Sequence, residues 1–178
     1  IVYLVLSLFL VGCSNFNFNK IYKKFARKVE KEYYESGCKK HSISFFNNKF
    51  DGPMLKWSED CVLISEANYE NGKLHGYWKA YYNEGQLMHS VEYFFGQKNG
   101  YERWYYENGN LKMEGDLFGD HSFSKEITES GLWKFYHKNG KLFQEGKYTE
   151  GKREGIWKVF SEEGLLNSKI TYKNGEII

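Results

Sequence analysis

Histidine, glutamate and aspartate are the side chains of this 178-residue chain that could bind a metal or transfer a proton. The sequence has five histidines, at His41, His75, His89, His121 and His137. They have no metal-ligand spacing, and the sequence contains no phosphate-binding loop, nucleophile elbow or dinucleotide fingerprint. Four glutamates lie beside turn glycines, where solvation accounts for them: Glu84, Glu107, Glu162 and Glu163. The sequence therefore predicts no catalytic residue, no metal and no cofactor, and a paired-carboxylate hydrolase is the enzyme class that it leaves open.

Two regularly spaced sets of side chains could form a binding surface. A base stands three residues after each of four recurring glycines, and an aromatic residue stands five residues after the same glycine. The bases are Lys79, Arg103, Lys134 and Lys158, and the aromatic residues are Tyr81, Tyr105, Tyr136 and Phe160. On stacked strands they would form two adjacent rows that could bind an anionic or sugar-like polymer, a lipid headgroup or a partner protein. Alternatively, the basic side chains only cover the rings on the solvated face of a sheet.

A cysteine follows an apolar segment at the start of the sequence. Residues 1–12, IVYLVLSLFLVG, are uncharged, too short to span a bilayer, and typical of the apolar part of a secretory signal. Leu10-Val11-Gly12-Cys13 resembles the lipobox of bacterial lipoproteins, in which the cysteine is lipidated after export. The resemblance implies a lipid anchor on Cys13 and a place in the bacterial cell envelope. An ordinary cleaved signal, or a buried helix with an incidental cysteine, is the alternative. No basic segment precedes Ile1, so we expect the precursor to begin a few residues earlier.

The residues after this cysteine form a basic segment. Between residues 15 and 31 six bases oppose one acid, and Ile21, Phe25 and Val29 recur at helical spacing. We therefore expect residues 13–31 to form a tether, either a short basic helix on an anionic membrane surface or a solvated linker. The formal net charge of the whole chain is +2, which is too small to indicate a nucleic-acid partner.

The four recurring glycines mark an internal repeat. Three of them start the closely similar phrases GYWKAYYNEGQL (Gly76), GLWKFYHKNGKL (Gly131) and GIWKVFSEEGLL (Gly155), and Gly100 starts a looser copy. The intervals are 24, 31 and 24 residues, so one unit carries seven extra residues, which we place in a longer connection over residues 116–130. Projected backwards, the period predicts six units over about residues 28 to 178, of which the first two are degenerate.

Each unit is predicted to be a β-hairpin. Residues two and four after the glycine, such as Trp133 and Phe135, share one face of the first strand. Asn108-Gly109 is typical of a tight hairpin turn, and a return strand follows from Leu111. A lone hairpin is marginally stable, so we expect the units to stack and to bury each Trp and Leu between neighbours. The sequence thus predicts an all-β domain over residues 32–178, an elongated, single-layer, twisted antiparallel sheet of hairpin repeats with a period of 24 residues.

The repeated residues resemble those of the MORN repeat family, in its bacterial antitoxin-like variant. The matching motifs are Gly-x-Trp-x-x-Tyr, Asn-Gly-x-Leu and Tyr-x-Asn-Gly-Lys, which are strong in four units and faint in two. The resemblance implies an elongated antiparallel sheet that is used for interaction and has no catalytic residues. We therefore expect a non-enzymatic, membrane-anchored interaction or scaffold module with an unknown protein partner. An antitoxin or immunity-type inhibitor that neutralises a specific toxin protein is the alternative.

Two further cysteines, Cys38 and Cys61, lie in the degenerate units. Export from the cytoplasm would permit a disulfide between them. In a regular array, however, residues about one repeat apart are separated by roughly 9 to 10 Å. That is longer than the Cα–Cα distance of about 5.5 Å that a disulfide prefers. The spacing therefore weighs against this bond, unless the first units are irregular.

Overall fold

The computed structural model describes residues 27–118 and 128–178. The predicted signal segment, the proposed lipidation site Cys13 and most of the predicted tether lie outside the described residues, as does much of the predicted long connection. The first strand begins at Lys28, so the last four residues of the predicted tether belong to the sheet. Pairing with the next strand satisfies the backbone groups that face it, and this outweighs the helical spacing of their side chains.

Regular secondary structure in the described residues consists of β-strands alone. The strands are β1 (Lys28–Tyr33), β2 (Lys39–Phe46), β3 (Lys49–Trp57), β4 (Leu63–Glu70), β5 (Lys73–Leu74), β6 (Gly76–Tyr81), β7 (Leu87–Phe94), β8 (Gln97–Tyr105), β9 (Leu111–Phe118), β10 (Thr128–Tyr136), β11 (Leu142–Thr149), β12 (Lys152–Phe160), β13 (Leu166–Lys173) and β14 (Glu176–Ile177). The predicted all-β fold is confirmed.

These strands form one open antiparallel sheet in which neighbours along the chain are neighbours in space. The short β5 pairs with β4 beside β6, so that β5 and β6 together correspond to one strand of the other units. Six hairpins follow one another, β1–β2, β3–β4, β6–β7, β8–β9, β10–β11 and β12–β13. The predicted array of six stacked hairpins is therefore confirmed. At the usual strand separation the sheet extends roughly 60 Å across its strands.

Two kinds of turn alternate along the sheet. At the tip of each hairpin a residue with positive φ closes the turn. It is a glycine in five hairpins and Cys61 in β3–β4; Gly109, for example, has a φ of 83° and donates its N–H to the Tyr106 carbonyl at 2.9 Å. Apart from the connection between β9 and β10, which lies outside the described residues, hairpins are joined to one another by two-residue turns in which both residues have positive φ, as in Asn71-Gly72. Such turns match the natural twist of paired strands, which explains why Asn and Gly recur at these positions.

A bulge lies at the junction between successive hairpins. On β11, Gly146 alone separates Glu145 from Lys147. Their register partners on β12 are Lys158 and Glu154, and three residues, Gly155, Ile156 and Trp157, separate these two. The Lys147 carbonyl accepts a hydrogen bond from the Trp157 indole N–H at 3.2 Å. The bulge thus gives the buried indole a polar partner in the preceding hairpin.

One face of the sheet, here called the tryptophan face, carries the core. Trp133 and Trp157 are 2% and 1% exposed, although the described strands form a single sheet. Each indole lies over a glycine of the preceding strand, and a Cβ on Gly146 would overlap the Trp157 ring. Tyr148 packs edge-on between the two indoles, with centroid distances of 6.1 and 5.0 Å. The prediction that each Trp is buried between hairpins is confirmed for these two indoles, where the missing glycine side chains make burial possible. Trp78 and Trp104 are half-buried, and the predicted burial of the return-strand leucines is wrong for Leu166, which is 48% exposed.

Polar side chains at the hairpin tips join each hairpin to the next. The Tyr82 hydroxyl donates to the Tyr105 carbonyl at 2.7 Å, and the Tyr106 hydroxyl donates to the Tyr136 carbonyl at 2.8 Å. His137 makes the equivalent contact with the Phe160 carbonyl at 3.1 Å. These bonds hold the spacing between hairpins and so keep the two faces of the sheet continuous.

A disulfide joins Cys38 to Cys61, whose Cα atoms are 5.1 Å apart. The expectation against this bond is wrong. Cys38 directly precedes β2, whereas Cys61 lies in the turn that follows β3, and these two strands are hydrogen-bonded neighbours. The cysteines are almost one repeat apart in sequence but only one strand apart in space, because they lie on different sides of their turns.

Candidate interaction surface

The face opposite the tryptophan face, here called the exposed face, holds the predicted basic residues. Successive register pairs place them in one line across nine strands, from β4 to β13. This line, the central row, consists in order of Glu66, Lys79, Ser90, Arg103, Glu114, Lys134, Glu145, Lys158 and Lys169. The predicted aromatic residues Tyr81, Tyr105, Tyr136 and Phe160 lie on the same strands, two residues nearer to the hairpin tips. The structure thus brings all eight predicted site residues together.

Acids from the return strands are interleaved with the bases of the central row. Lys79 contacts Glu66 at 2.6 Å, Arg103 contacts Glu114 at 3.3 Å, and Lys158 contacts Glu145 at 2.9 Å. Sequence reasoning missed these acids because it considered only the first strand of each hairpin. The signal was present: Glu66, Glu114 and Glu145 each lie fourteen residues after the first glycine of their unit. Much of the predicted basic row is therefore neutralised within the sheet.

The tyrosines beside the central row use the same carboxylates. The Tyr136 hydroxyl donates to Glu114 at 2.8 Å, and burial together with this hydrogen bond raises the pKa of Tyr136 above its ordinary value. Burial and a hydrogen bond to Glu66 raise the pKa of Tyr81 to about 12. The hydrogen bond from Lys79 lowers the pKa of the Glu66 carboxyl. These tyrosines are therefore protonated donors at neutral pH and fix the acids in place.

A third row on the exposed face is apolar and was missed by sequence reasoning. It consists of the residue directly after each glycine, namely Tyr77, Tyr101, Leu132 and Ile156. Tyr77, Leu132 and Ile156 are 46%, 51% and 59% exposed. The ring of Tyr101 lies under the Arg103 guanidinium at 4.4 Å and is half-buried. The apolar surface is therefore least covered on the last two hairpins.

Charge is distributed unevenly over the apolar and central rows and their cross-strand partners. Hairpins β6–β7 and β8–β9 carry two bases against three acids: Lys79 and Arg103 against Glu92, Glu114 and Asp116. Hairpins β10–β11 and β12–β13 carry four bases against two acids: Lys134, Lys147, Lys158 and Lys169 against Glu145 and Glu154. Of these four lysines, only Lys158 makes an ion pair with another described residue. The last two hairpins therefore present an excess of positive charge.

The tryptophan face contains a buried polar pair that sequence reasoning did not identify. Glu102 takes the position that Trp133 and Trp157 occupy in their units, and its carboxylate contacts His89 Nε2 at 2.7 Å. The side chains are 10% and 6% exposed, and the imidazole stacks on Trp104 with 3.7 Å between ring centroids. Burial favours a higher pKa for Glu102, but the hydrogen bond to His89 and the charge of Lys98 outweigh it and lower that pKa. The pair replaces one indole in the core without leaving a buried polar group unsatisfied.

The described residues hold no group of three or more His, Cys, Asp or Glu side chains arranged to bind a metal ion. Within the same residues, no helix has the length and apolar character needed to cross a bilayer. The arrangement on the exposed face is suited to binding through charge and apolar contact.

These features define a class of protein, an open array of β-hairpin repeats with one packed face and one exposed face. The sequence profile of the MORN repeat variant family matches four segments, residues 74–94, 98–117, 129–150 and 153–174. The chain therefore contains four MORN repeats of the variant type, one for each hairpin from β6–β7 to β12–β13. MORN repeats are generally protein- or membrane-binding modules. Among curated proteins, none matches the chain.

Proposed function

We propose that this chain is a non-enzymatic protein-interaction module that is held in the bacterial cell envelope by a lipid on Cys13. The observation that supports the interaction role most is the exposed face of the last two hairpins. There Leu132 and Ile156 are largely exposed beside lysines that have no ionic partner among the described residues. Exposed apolar side chains rimmed by charge are typical of interaction surfaces. Trp133 and Trp157 are buried on the tryptophan face of the same hairpins and hold the strands in place, so we expect the surface to be formed before a partner binds.

The proposed anchor rests on the sequence around Cys13 and is tested separately. We expect the full chain to fractionate with membranes and to incorporate labelled palmitate, because lipidation adds a strongly apolar group. Cys13→Ser should incorporate no label, whereas Cys61→Ser, which alters a cysteine in the turn after β3, should be labelled like the wild type. An unlabelled wild-type protein would contradict the anchor and leave the interaction role untouched.

The interaction role is tested by affinity purification of the full chain from detergent-solubilised cells, followed by mass spectrometry. The matched control is residues 1–31 fused to an unrelated soluble domain, which retains the anchor and tether but lacks most of the sheet. We expect at least one protein to be enriched by the full chain and not by this control. If the two samples contain the same proteins, the interaction role is wrong.

A second candidate function is that of an antitoxin or immunity-type inhibitor, which would bind one toxin protein and block it. A stoichiometric inhibitor needs one defined contact surface, and the unpaired lysines and exposed aliphatic residues of the last two hairpins supply one. This candidate predicts that the enriched protein is toxic when expressed alone and harmless when co-expressed with this chain. A neighbouring reading frame for such a protein would favour it, and a non-toxic partner would exclude it.

A further inference from the structure

Six side chains on the exposed face of β10 to β13 form a basic patch, defined as Leu132, Lys134, Lys147, Ile156, Lys158 and Lys169. Leu132 lies directly opposite Lys147, and Lys158 lies directly opposite Lys169. Leu132 and Ile156 are more than half exposed. The patch therefore combines two accessible aliphatic side chains with four lysines on one continuous surface.

The positive charge of the basic patch is only partly compensated within the sheet. Like charges directly opposite each other destabilise a strand pair, and this is the arrangement of Lys158 and Lys169. Glu145 contacts Lys158, and the Glu154 carboxylate, which lies across from Lys147, accepts the Asn174 N–H at 2.8 Å. Among the described residues, no carboxylate lies within ion-pair distance of the other three lysines of the patch. Acidic groups from outside the sheet would relieve this repulsion.

The two aliphatic side chains have a spacing that a particular partner can match. Leu132 and Ile156 occupy equivalent positions two strands apart in the sheet order, which corresponds to about 9.6 Å. Residues i and i+7 on one face of an α-helix are about 10.5 Å apart along its axis. A helix lying across the strands could therefore place one aliphatic residue on each of these positions, with acids beside them facing the lysines.

We propose that the basic patch docks an acidic amphipathic helix of a partner protein, which carries aliphatic residues seven positions apart. This inference rests on the proposed interaction role and specifies the chemistry of the partner. An anionic membrane would also neutralise the lysines, but a fluid lipid surface presents no apolar groups at a fixed spacing that would match Leu132 and Ile156. Glu145, in the centre of the patch, would repel lipid phosphates, whereas a helix can place a polar residue opposite it.

The test uses the full chain in detergent micelles and a fluorescein-labelled helical peptide with leucines seven residues apart and flanking glutamates. Binding is followed by fluorescence anisotropy. We expect the wild type to bind this peptide and to bind poorly a peptide of the same composition with leucines five residues apart. Lys147→Glu/Lys169→Glu and Leu132→Ser/Ile156→Ser should each weaken binding by about tenfold or more. Lys112→Glu, which changes an exposed lysine of β9 outside the patch, should alter it by less than about twofold.

Two further measurements make the outcome decisive. A peptide with lysines in place of the glutamates should bind Lys147→Glu/Lys169→Glu better than it binds the wild type. Equal binding of either peptide to wild type and patch variants would overturn the inference. So would patch-dependent binding to phosphatidylglycerol vesicles without peptide binding, which would assign the patch to the membrane. A cellular partner that is captured equally by patch variants would overturn the inference but leave the proposed interaction role intact.

Discussion

Hairpins β6–β7 and β8–β9 differ from hairpins β10–β11 and β12–β13 in where they hold their charges. The first pair buries a carboxylate and an imidazole in the tryptophan face, Glu102 and His89, and each base in its central row has an ionic partner. The second pair fills the same face with two indoles over glycines and leaves unpaired lysines on the exposed face. Both pairs nevertheless share the same strands, turns and junction bulges.

This difference separates what the repeat requires from what it permits. A hairpin needs a residue with positive φ at its tip, a bulge at the junction, and a packed side chain between neighbours. It accepts either an indole or a hydrogen-bonded Glu–His pair as that side chain, because both leave no unsatisfied polar group in the core. The exposed face is under none of these constraints, so the residues that could select a partner are free to vary between hairpins of one array.

The largest effect is expected from removing an indole of the second pair. Trp133→Ala should reduce the free energy of unfolding by about 3 to 5 kcal/mol, since the ring is buried over Gly115 and leaves a cavity. Trp78→Ala, in the first pair, should cost about 2 kcal/mol because that indole is half-buried. Urea unfolding with the disulfide intact measures both. Equal losses would show that the two pairs of hairpins are packed equally tightly.

A smaller effect is expected from the buried pair of the first hairpins. Glu102→Gln should cost about 2 kcal/mol at neutral pH, because it removes a charge-assisted hydrogen bond to His89. The folded protein lowers the pKa of Glu102 from its ordinary value of 4.5, so the stability that the carboxylate contributes is present above pH 4.5 and is lost as pH falls further. The difference in stability between wild type and Glu102→Gln should therefore shrink below pH 4.5. A difference that is constant from pH 7 to acidic pH would rule out a stabilised carboxylate.

The smallest effect is expected on the exposed face and distinguishes its two halves. Lys79→Met should cost about 0.5 kcal/mol at low salt, since the pair with Glu66 is partly exposed and screened by solvent. Lys134→Met should change stability by less than about 0.3 kcal/mol, because Lys134 lies opposite Glu114 and Glu145 in register but makes no ion pair with a described residue. Thermal melts at low and high salt provide the measurement. A larger loss at Lys134 than at Lys79 would mean that the unpaired lysine has a structural role.

Most of the fold follows from the sequence because two periods coincide in it. The 24-residue spacing of Gly155 from Gly131 defines the unit, and the alternation of Trp157 with Lys158 assigns each residue to a face. Sequence reasoning did not give the junction register, which depends on the bulge opposite Gly146, nor the pairing of Cys38 with Cys61. Both depend on which strands are neighbours across hairpins, whereas the period only relates equivalent positions.

The candidate surface was predicted in part. The bases at Lys79 and Lys134 and the tyrosines beside them were placed on one face, as found. Their neutralisation was not predicted, because Glu66 and Glu114 belong to return strands whose register was unknown. The exposed Leu132 and Ile156 looked like ordinary strand residues, since no local signal tells an aliphatic side chain on an open face from one in a core. The binding role of this surface stays a prediction.

The disulfide between Cys38 and Cys61 also sets how the array would carry a mechanical load. Tension that enters at the N-terminal end of the sheet reaches Cys38 after β1 and crosses directly to Cys61. Residues 39–60, which include β2 and β3, lie outside this load path. A pulled chain would peel away β1 and then strain β4, while the hydrogen bonds between β2 and β3 stay unloaded. The covalent link thus shortens the length of chain that such a pull can extend, because residues 39–60 stay closed behind it.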